Sequence, residues 1–183
     1  MMVRIAETSP GPRARITGVV YLLYFLTAIF GEFLISRKFV FYADAVNLIS
    51  AAFYIVVTLL FYSLFKPVNR TLSLVSAFFS LMGCAITVLN LFHLASSYSP
   101  LIFFGPYCLL IGYLIVRSTF LPRVLGVLMV FAGLGWLAFL SPPLEKHLTP
   151  YIEILGILAE GLLMLWLLVR GVNVQRWKEQ AAG

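Results

Sequence analysis

Charge is scarce in this chain. Lys, Arg, Asp and Glu make up 11% of its 183 residues and hydrophobic residues 62%, whereas soluble domains carry about 25% charged and about 45–50% apolar residues. That scarcity excludes an ordinary water-soluble domain and points to a polytopic membrane protein. Cysteine is nearly absent: Cys84 and Cys108 both lie within apolar runs and lack metal-ligand spacing, which removes a disulfide framework and a zinc site and leaves two buried thiols. Histidine occurs only as His93 and His147. Without a His pair at i and i+4, an HExxH, a GxSxG or a glycine-rich phosphate loop, no recognisable hydrolytic, nucleophilic or nucleotide site is written here. Metal ligands and catalytic residues therefore stay unassigned, and no residue names a cofactor. The net charge of +6 comes from Lys and Arg at the ends of apolar runs, with no basic face for nucleic acid. Linkers and low-complexity segments are missing too, so residues 1–183 read as one integral membrane domain.

What is present is a series of apolar runs. A hydrocarbon core of about 30 Å takes about 20 helical residues, and six runs approach that length: 16–35, 45–65, 71–94, 100–116, 123–140 and 150–169. The expected fold is all-α, a bundle of six transmembrane helices with the bilayer as its first partner. The basic start of the chain is followed by a run too long for a signal peptide, and it reads as a retained first helix. Pro100, Pro122 and Pro150 stand where helices 4, 5 and 6 would begin, with Ser99 and Thr149 as N-caps, and Pro106 falls inside helix 4. Arg4, Arg13, Arg15, Lys66, Arg70, Arg117, Arg123, Arg170, Arg176 and Lys178 gather on one side, ten in all, against Arg37, Lys38 and Lys146 on the other. The positive-inside rule then places both termini in the cytoplasm, and the 3–4 connection around Ser97 outside.

Polar residues within the runs fall on helical faces. Helix 3 carries Ser73, Ser76, Ser80, Gly83, Thr87 and Asn90, with His93 beyond. Helix 2 carries Asp44, Asn47, Tyr54 and Thr58, helix 1 carries Thr17, Tyr21, Tyr24 and Glu32, and helix 6 carries Glu153 and Glu160. Because lipid penalises polar groups, the four stripes should face one another. Asp44 is placed as an N-cap of helix 2, and Glu153 in the first turn of helix 6, where the helix dipole favours a carboxylate. Glu160 is different. It stands about ten residues, or about 15 Å, from either surface with no Lys or Arg at its depth, and an ionisable group at midplane is a functional-site hypothesis by default. It should rest as the neutral acid, with Tyr54 as its best hydrogen-bond partner and Thr27 and Cys84 at the same level. The candidate ligand-binding or proton-handling residues are Glu160, Glu153, Glu32, His93, Asn90, Asp44, Asn47, Tyr54 and Tyr107, forming an outer pocket that tapers to Glu160.

Four stretches, "ARITGVVYLL", "FKPVNRTLSLVSAFF", "CLLIGYLIVRSTFLPRVLGVLMVFAGLG" and "AEGLLMLWLLVRGV", resemble the bacterial membrane family known as domain of unknown function 4386. That resemblance implies six helices in a bacterial cell membrane and no assigned activity. Members often carry His just before the helix-4 Cys, where this chain has Tyr107.

Three function classes follow. A pocket protein would bind or carry a small apolar molecule, lipid or ion, with Pro106 and the glycines of helices 4 and 5 permitting movement; lacking inverted repeats, a carrier would work as a homo-oligomer. An intramembrane enzyme would use Glu, Asp and His for acid-base or metal chemistry. A partner of a larger membrane complex would need neither. The pocket reading leads.

Overall fold

The computed structural model describes residues 9–94 and 99–182, with Pro142, Pro143 and Glu145 as backbone only. Arg4 and Ser97 lie outside the described residues. Those residues form helices and no strand: α1 Pro10–Ser36, α2 Val40–Phe65, α3 Arg70–Leu91, α4 Leu101–Arg117, α5 Arg123–Trp136 with a 3-10 turn over Leu137–Leu140, α6 Pro142–Val169 and α7 Val174–Ala182. α1, α2, α3, α6 and α5 with its 3-10 turn are long and apolar enough to cross a membrane, and α4 is a shorter apolar helix. At 1.5 Å per residue the 17 residues of α4 reach about 25 Å.

Helix ends depart from the sequence reading in instructive ways. α1 starts at Pro10, with proline in its first turn, and so takes in Arg13 and Arg15. α2 starts at Val40, which leaves Asp44 in its second turn; Asp44 is not an N-cap. α6 starts at Pro142, since a proline at the first helical position costs no hydrogen bond. Thr149, Pro150 and His147 are therefore inside α6, and Glu153 is about three turns from its N-terminus, beyond the reach of the dipole. Pro100 caps α4 rather than opening it, and Ser99 contributes only its carbonyl, which accepts from the Ile102 N–H at 3.4 Å. α3 does have a side-chain cap, Asn69, which accepts from the Leu72 N–H at 2.9 Å. It ends at Leu91, so His93 is outside the helix, exposed, and held in the left-handed region at φ 59°.

The helices form a ring in chain order, each packed on its neighbours in sequence and closed where α6 meets α1. Small residues set the spacing. The serine face of α3 makes the α2–α3 seam: Ser80 and Thr58 hydroxyls are 2.6 Å apart, and the Ser73 hydroxyl donates to the Tyr62 carbonyl at 3.2 Å. Gly18 brings α1 onto α6, where a Cβ would lie 2.7 Å from the Leu168 Cα. α4 and α5 also meet backbone to backbone. A Cβ on Gly112 would lie 2.7 Å from the Gly126 carbonyl oxygen, and one on Gly133 would lie 2.8 Å from the Gly105 carbonyl oxygen. Each helix contributes its two glycines seven residues apart, so the antiparallel pairs recur once per two turns. These glycines, expected from the sequence to permit movement, form a close-packed seam.

α7 was invisible as a helix in the span count. Its Trp177 is buried and donates its indole N–H to the Leu64 carbonyl at 2.9 Å, filling one of the carbonyls left open at the end of α2. Gly171, at φ 69°, turns the chain back after α6, and Asn173 caps α7 by accepting from the Arg176 N–H at 3.1 Å. Gln180 accepts from the Thr119 N–H at 3.1 Å, so α7 lies across the end of the ring formed by the α2–α3 and α4–α5 turns. Spacing Val174, Trp177 and Ala181 at i, i+3 and i+7 was the available signal.

Candidate functional site

Above that sealed end the ring is packed with apolar side chains. Phe61, Phe65, Leu64, Ile111, Leu114, Ile115, Leu163 and Leu167 are all essentially inaccessible, with Phe65 stacked between Phe61 at 5.8 Å and Phe120 at 6.0 Å. Four helices meet at Glu160. The Tyr21 hydroxyl of α1 donates to Glu160 Oε2, and the Cys108 thiol of α4 lies 3.9 Å from Oε1, on the donating side. Tyr54 of α2 is in reach of the same carboxyl. Its ring sits 6.0 Å from those of both Tyr21 and Tyr107. The Tyr107 hydroxyl faces Tyr54 without completing a well-formed hydrogen bond.

Beyond Glu160 the ring opens. A chamber of about 350 Å³ is lined by Tyr24, Phe25, Ala28, Ile29, Glu32, Asn47, Tyr54, Leu101, Phe104, Trp136, Gly156, Ile157 and Glu160. A second lobe of about 300 Å³ shares Tyr24, Ala28, Glu32, Asn47, Tyr54, Leu101 and Phe104 with it and reaches Ser50, Cys84 and Thr87 between α2 and α3. Two small residues make the room. Ala28 presents only a methyl to both lobes, and Gly156 lies against the Trp136 indole, which a side chain there would displace. Trp136 is buried, and its N–H lacks a hydrogen-bond partner. Glu32 is exposed, while Asn47 lies half-buried under Gly31. No Lys or Arg lines either lobe.

The predicted residues therefore divide. Glu160, Tyr54, Asn47 and Glu32 line the chamber, and Tyr107 is buried behind Tyr54. Asn90, Asp44, Glu153 and His93 line neither lobe, and Glu153 and His93 are exposed. Levelling Glu160 with Thr27 was an error of axial offset: α6 begins at Pro142, eight residues before the expected start, so Glu160 lies deeper from its outer end; Tyr21 meets the carboxyl, and Thr27 instead donates to carbonyls of its own helix, Leu23 at 2.8 Å and Tyr24 at 2.9 Å. Cys108 takes the place expected for Cys84. Tyr21 was visible on the polar stripe of helix 1, but Cys108, Phe104 and Trp136 carried no periodic signal. Among the described residues, no group of three or more His, Cys, Asp or Glu is placed to hold a metal ion.

Apolar helices ringed around a chamber with a buried carboxyl at its floor define a helical membrane protein with an open pocket between its helices. The chain belongs to the family described as Domain of unknown function (DUF4386), whose model matches residues 45–101 and 93–171. Within that range lie Tyr54, Tyr107, Cys108 and Glu160; Tyr21, the direct partner of Glu160, precedes it. A protein of Archaeoglobus fulgidus named as an uncharacterized protein is 31% identical over 126 residues, which is 64% of this chain and 76% of the relative. No solved structure matches the chain.

Proposed function

We propose that this is a six-span membrane protein with both termini in the cytoplasm, and that it binds a small, largely apolar molecule in the chamber, entered from the outer side. The observation that carries this reading is the chamber itself: about 350 Å³ of apolar-walled space ends on a carboxyl group at mid-bundle. Binding sites of this kind are concave, mainly apolar and provided with a few converging polar groups. The packed layer between Glu160 and α7 makes the chamber a dead end, which favours a binding protein or the outward-facing state of a carrier over an open channel. Homo-oligomerisation and a bacterial cell membrane belong to the same reading.

The span count and orientation support an outer chamber only if the basic end is inside. A cysteine replacing His93 should react with a membrane-impermeant thiol reagent in whole cells, while one replacing Lys178 should react only after lysis. Cys108 is buried and Cys84 lines the second lobe, so labelling is read against the unsubstituted chain. Reversed labelling would place the chamber on the cytoplasmic side.

Occupancy is tested by filling the space. Protein purified in mild detergent should release, on unfolding, at least one small molecule that is depleted about tenfold or more in Ala28→Trp, whose indole would occupy the shared wall of both lobes. Identical released material from both proteins would refute the binding site.

A further inference from the structure

We infer that the ligand is a small organic cation with an apolar body, its charged head held at Glu160 and its body among the rings of Tyr24, Phe25, Tyr54, Phe104 and Trp136. The inference rests on the chamber being a ligand site and adds the chemical class. Three features of the lining converge on it. First, the lining holds two carboxyl groups, Glu160 at the floor and Glu32 nearer the opening, and no Lys or Arg. An anionic ligand would find no positive partner there, in a medium that screens poorly. Second, the walls are aromatic and continuous. Tyr54 is 4.6 Å from Tyr24 and 5.2 Å, edge-on, from Phe104, and the Trp136 indole closes the side next to Gly156. Ring faces attract cations electrostatically, more strongly where water is excluded, and cages of this composition hold quaternary ammonium groups.

Third, the donor set is wrong for a metal ion. Calcium takes about six to eight oxygen ligands and magnesium a near-ideal octahedron, whereas the floor offers one carboxyl already engaged by Tyr21 and Cys108. A diffuse ammonium needs no such shell. It needs a carboxyl that gives up its proton as the ammonium arrives, and polarisable walls, and both are in place.

Two isosteres separate charge from shape: benzyltrimethylammonium and the neutral hydrocarbon neopentylbenzene, which differ by one nitrogen in place of carbon. Affinity is read from the concentration dependence of the melting temperature in mild detergent, with Ala28→Trp as the control for partition into the micelle. Wild type should bind the cation about tenfold or more tightly than the hydrocarbon. Phe104→Leu should weaken the cation severalfold, and Glu160→Gln should erase the preference while leaving the hydrocarbon affinity in place. The wild-type comparison stands even if a variant folds poorly. Equal binding of both probes, or a preference for the hydrocarbon, overturns the cationic class and leaves the binding site standing. If neither probe raises the melting temperature of wild type by more than it raises that of Ala28→Trp, the binding site falls with it.

Discussion

Gly112→Leu is expected to abolish recovery of folded protein. The Cβ alone would lie 2.7 Å from the Gly126 carbonyl oxygen and 2.8 Å from the Val130 amide nitrogen, both backbone atoms of α5. A flexible side chain could move aside, but a helix backbone moves only as a unit. Relief therefore requires α5 to back away from α4 along the whole seam, which also opens the Gly105–Gly133 pair one heptad further along. Overpacking a well-filled core typically costs about 1–3 kcal/mol, and a clash that parts two backbones belongs at or above the top of that range. Even Gly112→Ala should lower the melting temperature in detergent. Gly161→Leu is the control, since a Cβ there meets nothing within 4 Å although its neighbour is Glu160. Monodispersity on size exclusion together with thermal shift reads the difference, and equal behaviour of Gly112→Leu and Gly161→Leu would show that the seam does not hold the bundle together.

Glu160 and Tyr21 should behave as a coupled pair. If Glu160 were merely tolerated at midplane, Glu160→Leu would be neutral or stabilising. The opposite is expected here, because the Tyr21 hydroxyl is fully buried and donates to Glu160. Removing the acceptor strands a buried donor, at a cost of about 1–3 kcal/mol. Tyr21→Phe in turn leaves the carboxyl with the weaker thiol contact and should also destabilise. The double variant, apolar on both sides, should recover much of the loss, since replacing both partners of a buried hydrogen bond can be nearly neutral. Glu160→Gln keeps an acceptor for Tyr21 and should melt close to wild type while losing the molecule retained in the chamber. Denaturation of the four proteins in detergent gives the coupling energy. Strict additivity of the two single changes would mean that the contact contributes nothing to the fold.

Sequence and structure contributed at different levels. The apolar runs, the small-residue faces of α2 and α3 and the isolation of Glu160 were legible in the chain, because hydrophobicity belongs to each residue and a helix of fixed pitch turns spacing into a face without help from its surroundings. Whether the far end of α3 continued the stripe to His93 was not legible, nor was the start of α6 at Pro142, since local polarity resembled a loop in one case and apolar bias resembled a helix in the other.

Which side chains meet at Glu160 was decided only by packing. Counting inward from helix ends assumes that all helices start level, yet α1 begins at Pro10 and α6 is 28 residues long. Their mutual offset is fixed where the Gly18 backbone seats on Leu167 and Leu168. That contact brings Tyr21, not Thr27, to the carboxyl. The same reasoning covers the glycine seam, which places Cys108 and Trp136, and α7, whose Trp177 finds an open carbonyl at the end of α2. Facing is a property of one helix and its pitch, whereas axial register arises between two helices, at the backbone contacts their smallest residues permit; only the folded ring contains it.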